Sequence, residues 1–253
     1  MAPFFRLAIA TVISAAAFVS AAPVNQSKSS PVLQKRSGAS VVTRCTIPST
    51  VAITFDDGPF LYTNGLLDIL KSRAVKATFF FNGNNYGRIE DFAASVKRAY
   101  QDGHQVASHA WDHRDLPSLS QSEALGEMTM LEEAFREIIG VRPTYMRPPF
   151  GSLNGPVLEM LGERNYTAVT WDMDTQDWAH PTDFDASYKL YETLFNNPEE
   201  IKQPGHIVLQ HEVHQVTALQ VVPMAIDLAL VRGYKVVTVG ECLGDPRSNW
   251  YTV

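Results

Sequence analysis

The chain repeats one rhythm: a short apolar, β-branched run, a polar or Gly/Pro turn, then a stretch with helical spacing. The strand-like runs cover residues 51–55, 77–81, 105–108, 144–146, 167–171, 206–210 and 235–239. Between them lie helical patterns. One opens on the capping box Ser120-Gln-Ser-Glu123 and continues to Ile139. A second carries Phe184, Tyr188, Tyr191 and Phe195, and a third, over about 216–232, has a core stripe of Leu219, Val222, Ile226 and Leu230. Alternation of this kind predicts a parallel α/β architecture in a single domain. Asp56-Asp57, His109, Arg147, Asp174 and His211 each follow the C-terminal end of a different run. A barrel gathers such ends around one mouth, whereas an open sheet spreads them by about 4.8 Å per strand, so five chemical strand ends favour a barrel.

The first 36 of the 253 residues read as an address. Arg6, the apolar stretch from Leu7 to Val19 and small residues before Ala22 form a secretory signal peptide over 1–21. The stretch is shorter than the roughly 18–20 residues of a membrane span, so no membrane association is expected. Residues 22–36 are polar, end in Lys35-Arg36, and read as a pro-segment, or as a tail left uncut; the domain then occupies 37–253. Charge divides with them: 1–36 hold four cations and no acid, leaving 17 Lys+Arg against 27 Asp+Glu, a net of -10. Such a body repels polyphosphates, which excludes nucleic acid as a partner. Export permits a disulfide between Cys45 and Cys242, worth about 5 kcal/mol in the chain-entropy model. Asn165-Tyr166-Thr167 is a glycosylation sequon.

Thr54-Phe55-Asp56-Asp57-Gly58-Pro59 puts two carboxylates at a strand end and then breaks the chain. Side chains of neighbouring strand residues point to opposite faces, so one carboxylate could bind a metal while the other takes a proton; a turn capped by Asp is the plainer alternative. His109 and His113 are four residues apart, and on one helical turn that spacing aims both imidazoles at one point. Two imidazoles and a carboxylate leave a fourth position open, which is the catalytic zinc pattern. Phe79-Phe80-Phe81 reads as core, since consecutive strand residues cannot share a face. His104 and His206 read as structural, as does His214; His180 and 82–85 lie where they could meet a ligand.

Five motifs in order resemble the polysaccharide deacetylases of carbohydrate esterase family four, the NodB-homology hydrolases, and among them the fungal chitin deacetylases. They are Thr54-Phe55-Asp56-Asp57-Gly58, His109-Ala110-Trp111-Asp112-His113, Arg147-Pro148-Pro149-Phe150-Gly151, Asp174-Thr175-Gln176-Asp177-Trp178 and Leu209-Gln210-His211. The resemblance implies a distorted, incomplete (β/α) barrel of about seven parallel strands. It assigns Asp57, His109 and His113 to a divalent metal, zinc first and cobalt second, and Asp56 to the general base. Arg147 would pair with Asp56 and hold it ionised, and the Phe150 N–H would face the oxyanion. His211 would be the general acid, tuned by Asp177, with Trp178 and Leu209 walling the pocket. Ala110 and Glu212 depart from the pattern, which has Ser or Thr at the first position and Asp at the second.

The expected function is that of a secreted, monomeric hydrolase, extracellular or in the cell wall, removing N-acetyl groups from chitin or chitooligosaccharides. Acetylated xylan or peptidoglycan are alternative substrates on the same fold. A silent chitin-binding protein is the alternative of another class.

Overall fold

The computed structural model describes residues 38–253; the expectations for 1–36 lie outside them. Eleven strands form: β1 (Ser40–Val42), β2 (Thr50–Asp56), β3 (Thr78–Phe81), β4 (Gln105–Ser108), β5 (Arg142–Pro143), β6 (Tyr145–Met146), β7 (Thr167–Val169), β8 (Met173–Asp174), β9 (His206–Leu209), β10 (Lys235–Val237) and β11 (Tyr251–Thr252). Seven α-helices accompany them: α1 (Thr63–Ser72), α2 (Ala93–Gln101), α3 (Gln121–Ile139), α4 (Gly155–Glu163), α5 (Phe184–Phe195), α6 (Val222–Val231) and α7 (Val239–Cys242). Nine strands make one parallel sheet in the order β1-β7-β6-β4-β3-β2-β9-β8, with β10 also pairing β2, while β5 and β11 form a separate antiparallel pair. β7 and β8 sit towards opposite ends of that order yet belong to one stretch of chain. That stretch joins the two sides of the sheet covalently where a full barrel would join them by a ladder, giving the distorted, incomplete barrel the motifs imply.

Period-two alternation decides what faces inward. On β2, Val51, Ile53 and Phe55 join the outer core with Leu66, Leu67 and Leu70 of α1, while Ala52 packs in a second cluster with Phe80, Ala107 and Ile207. Small Ala at two of these inner positions suits a crowded barrel interior. Cys45 and Cys242 are bonded, with Cα atoms 5.1 Å apart across a sequence separation of 197. The bond fastens the chain before β2 to the helix after β10.

The third helical pattern is not one regular helix. Residues Thr217–Val221 form a π turn before α6, because Pro223 has no N–H with which to continue the i→i−4 ladder. Val222 and Ile226 are buried as predicted, but Leu230 is 43% exposed; Ala218, Ala225 and Ala229 complete the buried face. The last strand ends at Val237, two residues early, where Thr238 and Glu241 make a capping box that starts α7.

Candidate active site

The site grows from the inner row Ala52-Thr54-Asp56 of β2. Asp56, at its mouth end, is buried, and Arg147, which follows β6, is fully buried beside it. Arg147 Nη1 donates to both Asp56 Oδ1 and Thr54 Oγ1 at 2.7 Å, and Nη2 donates to the Thr170 carbonyl at 3.1 Å. Its guanidinium lies 4.3 Å from the Phe80 ring centroid, a cation–π contact in a dry interior. Burial raises the pKa of Asp56, and the opposing pull of Arg147 does not cancel it. The expectation that Arg147 sets the net direction is thereby corrected: desolvation outweighs the ion pair.

Asp57 turns away from that row through a left-handed φ of 72°. Its Oδ1 lies 3.3 Å from His113 Nε2 and 3.7 Å from His109 Nε2. Tetrahedral zinc ligands at roughly 2.1 Å stand about 3.4 Å apart, so both edges from Asp57 are of the right size. Two further observations fit a divalent ion. Asp57 Oδ1 is buried without a hydrogen-bond partner. His109 Nδ1 donates to the Arg147 carbonyl at 2.7 Å, which leaves the Nε2 lone pair facing Asp57, and burial lowers the pKa of His109 to about 3, keeping the ring neutral. Among the described residues this is the one His/Cys/Asp/Glu group with all ligand atoms within 4.8 Å of one another.

The histidines do not share a helical turn. Residues 109–113 are an irregular loop in which Ala110 and His113 both have positive φ, at 63° and 54°. The four-residue spacing is met by a bent loop instead, with ring centroids 5.0 Å apart. Of eight non-glycine residues with positive φ, five fall in the site loops: Asp57, Ala110, His113, Phe150 and Gln176. Backbone strain of this kind collects where geometry serves function.

The opposite wall is built on β9. Its register against β2 continues past the strand end to pair Asp56 with His211. His211 Nδ1 donates to Asp177 Oδ1 at 2.8 Å, and Asp177 Oδ2 accepts from the His211 N–H at 2.7 Å and from Thr217 Oγ1 at 2.9 Å. Burial works against both charges, but the hydrogen bond and charge of Asp177 hold His211 up at about 9, and the carboxyl of Asp177 is correspondingly lowered. Between the two walls lies a cleft of about 370 Å³, lined also by Phe150, Trp178 and Leu209. Trp178 is 59% exposed and its Nε1 donates to Asp174 Oδ2 at 3.3 Å. The exposed Phe150 ring packs edge to face with His113, ring centroids 4.7 Å apart.

The polysaccharide deacetylase family matches residues 43–169. A chitin deacetylase of Pestalotiopsis sp is 43% identical over 225 residues, covering 88% of this chain and 74% of that protein. The chain belongs to the polysaccharide deacetylase family. A probable peptidoglycan-N-acetylglucosamine deacetylase of Arthroderma benhamiae is also 43% identical, over 83% of this chain but only 48% of that protein. Among solved structures, the chitin deacetylase from the fungal pathogen Colletotrichum lindemuthianum superposes with a TM-score of 0.80 at 39% identity, covering 85% of this chain and 96% of that one.

Several further residues support this site in ways that their sequence does not specify. Asn82 is buried and its Nδ2 donates to the carbonyls of His109 and Ala110, the latter at 3.0 Å. Gly83 lets the Trp111 ring lie where a Cβ would stand, and the N–H groups of Gly83 and Asn84 donate to the Trp111 carbonyl at 3.1 and 2.8 Å. Segment 82–84 therefore braces the 109–113 loop. Phe79 and Phe81 stack in the outer core at 5.4 Å, and Phe80 alone turns inward. Glu212 is fully buried; its Oε1 accepts from Thr63 Oγ1 at 3.1 Å, and it lies against Gly58, where a Cβ would overlap it. Burial raises its pKa to about 8.

None of the four remaining histidines lines the cleft, although His214 stands beside His211 with ring centroids 5.9 Å apart. His104 accepts from the Ala77 N–H at 3.2 Å, and burial lowers its pKa to about 4. His206 pairs with Asp172 at 2.8 Å, at the start of β9. His214 stacks edgewise on Tyr86, and His180 is exposed outside the cleft.

Proposed function

We propose that this deacetylase removes N-acetyl groups from N-acetylglucosamine units of chitin and chitooligosaccharides, giving chitosan and acetate. The observation that carries the reading is the pairing of Asp56 and His211 at one level of adjacent strands, beside Asp57, His109 and His113 in the same cleft. Amide hydrolysis needs a base on one side of the carbonyl and an acid on the leaving nitrogen. Asp57, His109 and His113 would hold a divalent ion, zinc or cobalt by the donor set, which would supply Lewis acidity and lower the pKa of water towards 7.

In this reading Asp56 accepts the proton of the attacking water, with Arg147 fixing its orientation. The Phe150 N–H donates to the developing oxyanion, a contribution typically worth about 3–4 kcal/mol. His211, held protonated by Asp177, gives its proton to the departing amine. Trp178 and Leu209 flank the acetyl methyl and the sugar.

The signal peptide over 1–21, the pro-segment over 22–36, the disulfide and the exposed Asn165, read as a glycan acceptor, together support secretion to the cell exterior or wall. The net of -10 suits a neutral polymer with a cationic product and no nucleic acid. The Arthroderma relative supports peptidoglycan as a second substrate class.

Mass spectrometry of chitin oligomers incubated with the enzyme, with and without chelator, tests the proposal. Acetate loss that the chelator stops is expected. Unchanged oligomers in the presence of added zinc would overturn it, and deacetylation of peptidoglycan alone would replace the substrate.

A further inference from the structure

We infer that Glu127 is a positioning residue for the metal centre: from α3, its carboxylate fixes the backbone of the loop between His109 and His113. Glu127 is 2% exposed on the inner face of α3, where its neighbours Ala124, Met128 and Leu131 are apolar and buried. A carboxylate in such a place is costly unless polar partners compensate it. Its partners are backbone groups of the loop. Asp112 N–H donates to Glu127 Oε2 at 2.8 Å, and the Trp111 N–H is in reach of the same carboxylate. Arg114, the residue after His113, lies 4.0 Å from Oε1.

The loop needs such a hold. Only its first residue continues the β3–β4 ladder, His109 N–H donating to the Phe81 carbonyl at 2.8 Å, and two of its five residues sit at positive φ. Asn82 and the 83–84 backbone grip its carbonyls from the β3 side. Glu127 grips its N–H groups from the other side, so the two imidazoles are aimed by a loop clamped at both polarities. Ala110 supplies no side-chain hydrogen bond to this loop; its own N–H donates to Ser108 Oγ at 3.4 Å, and beyond it the Asp112 N–H turns to Glu127.

The inference rests on the proposed metal reading, and its test separates the two. Zinc affinity of the intact protein would be measured by chelator competition, together with amide hydrogen exchange at Trp111 and Asp112 in the metal-free state. Glu127→Ala is expected to raise the zinc Kd about 10- to 100-fold and to speed exchange at both amides. The kcat at saturating zinc should stay within a few-fold of the parent, and Glu127→Gln, which keeps one acceptor at the same length, should recover most of the affinity. A folded Glu127→Ala with parental zinc Kd and parental exchange would overturn the role. Should Glu127→Ala not fold, parental values for both readouts in Glu127→Asp, whose shorter side chain draws the carboxylate away from the loop, would overturn it equally. A parent chain that binds no zinc would count against the metal centre, while amide exchange would still decide what Glu127 does.

Discussion

His109 and His211 are the same side chain, both largely buried and facing one cleft, yet they are poised in opposite protonation states. Burial drives both rings towards neutrality. His109 yields, to about 3, because its Nδ1–H meets an uncharged carbonyl, that of Arg147. His211 resists, at about 9, because its Nδ1–H meets the carboxylate of Asp177, itself held by two further donors. One hydrogen-bond partner thus separates a neutral imidazole from a protonated one. The lesson is that the second partner of each ring, not its depth, sets its chemical role.

The largest break in this comparison removes Asp56, the proposed base, which lies between the two sides. Asp56→Asn should lower acetate release from chitin oligomers about 10³- to 10⁴-fold while leaving zinc affinity within a few-fold. Near-normal turnover would sink the assignment of Asp56, and lost zinc would show that the two sides are not separable. Asp177→Asn attacks the acid side alone. The alkaline limb of the pH–rate profile should move from near 9 towards the ordinary imidazole value of about 6.5, with kcat reduced about 100-fold at pH 7. An unmoved limb would mean that a different group supplies the proton.

Much of this was legible because reactive side chains sit at strand ends, where a polar residue after an apolar run is conspicuous. Asp56, Arg147 and His211 are of that kind. What was hidden came from contacts between distant elements. The i,i+4 spacing of His109 and His113 fits a helical turn as well as a bent loop, and only the Asn82 and Glu127 clamps select the loop. Phe80 is one of three identical letters, and only its strand register turns it under Arg147. Glu212 could not be placed from sequence; its role against Gly58 exists only once β2 and β9 are side by side.

A smaller effect follows from linkage in the metal-free protein. His211, raised from about 6.5 to about 9, contributes stability that is fully present below 6.5 and is lost as pH rises through 9. His109 has the opposite sign: its pKa is lowered, so the unfolded chain takes up a proton below 6.5 that the fold refuses, and stability falls as pH falls towards 3. Glu212, raised from about 4.5 to about 8, adds a decline across that window. Each slope is at most about 1.4 kcal/mol per pH unit. Denaturant unfolding from pH 5 to 10 should show a difference between the parent and Asp177→Asn that is constant below 6.5 and shrinks through 9. A difference that grows with pH would contradict the assignment of the raised ring.

The smallest expected effect lies beneath both histidines, in the contact between Phe80 and Arg147. Arg147 serves the two sides at once: its carbonyl fixes His109 and its guanidinium holds Asp56, which faces His211. Its Nε has no hydrogen-bond partner, and the Phe80 face compensates part of that buried charge. Phe80→Leu keeps an apolar side chain there but removes the ring. Stability should fall by about 1–2 kcal/mol, most of it lost cation–π attraction and packing. If Arg147 is a shared support, the acid limb set by Asp56 should rise slightly and zinc affinity should weaken a few-fold in the same variant. A stability loss with both readouts unmoved would mean that Phe80 is only packing, and that the two sides are positioned independently.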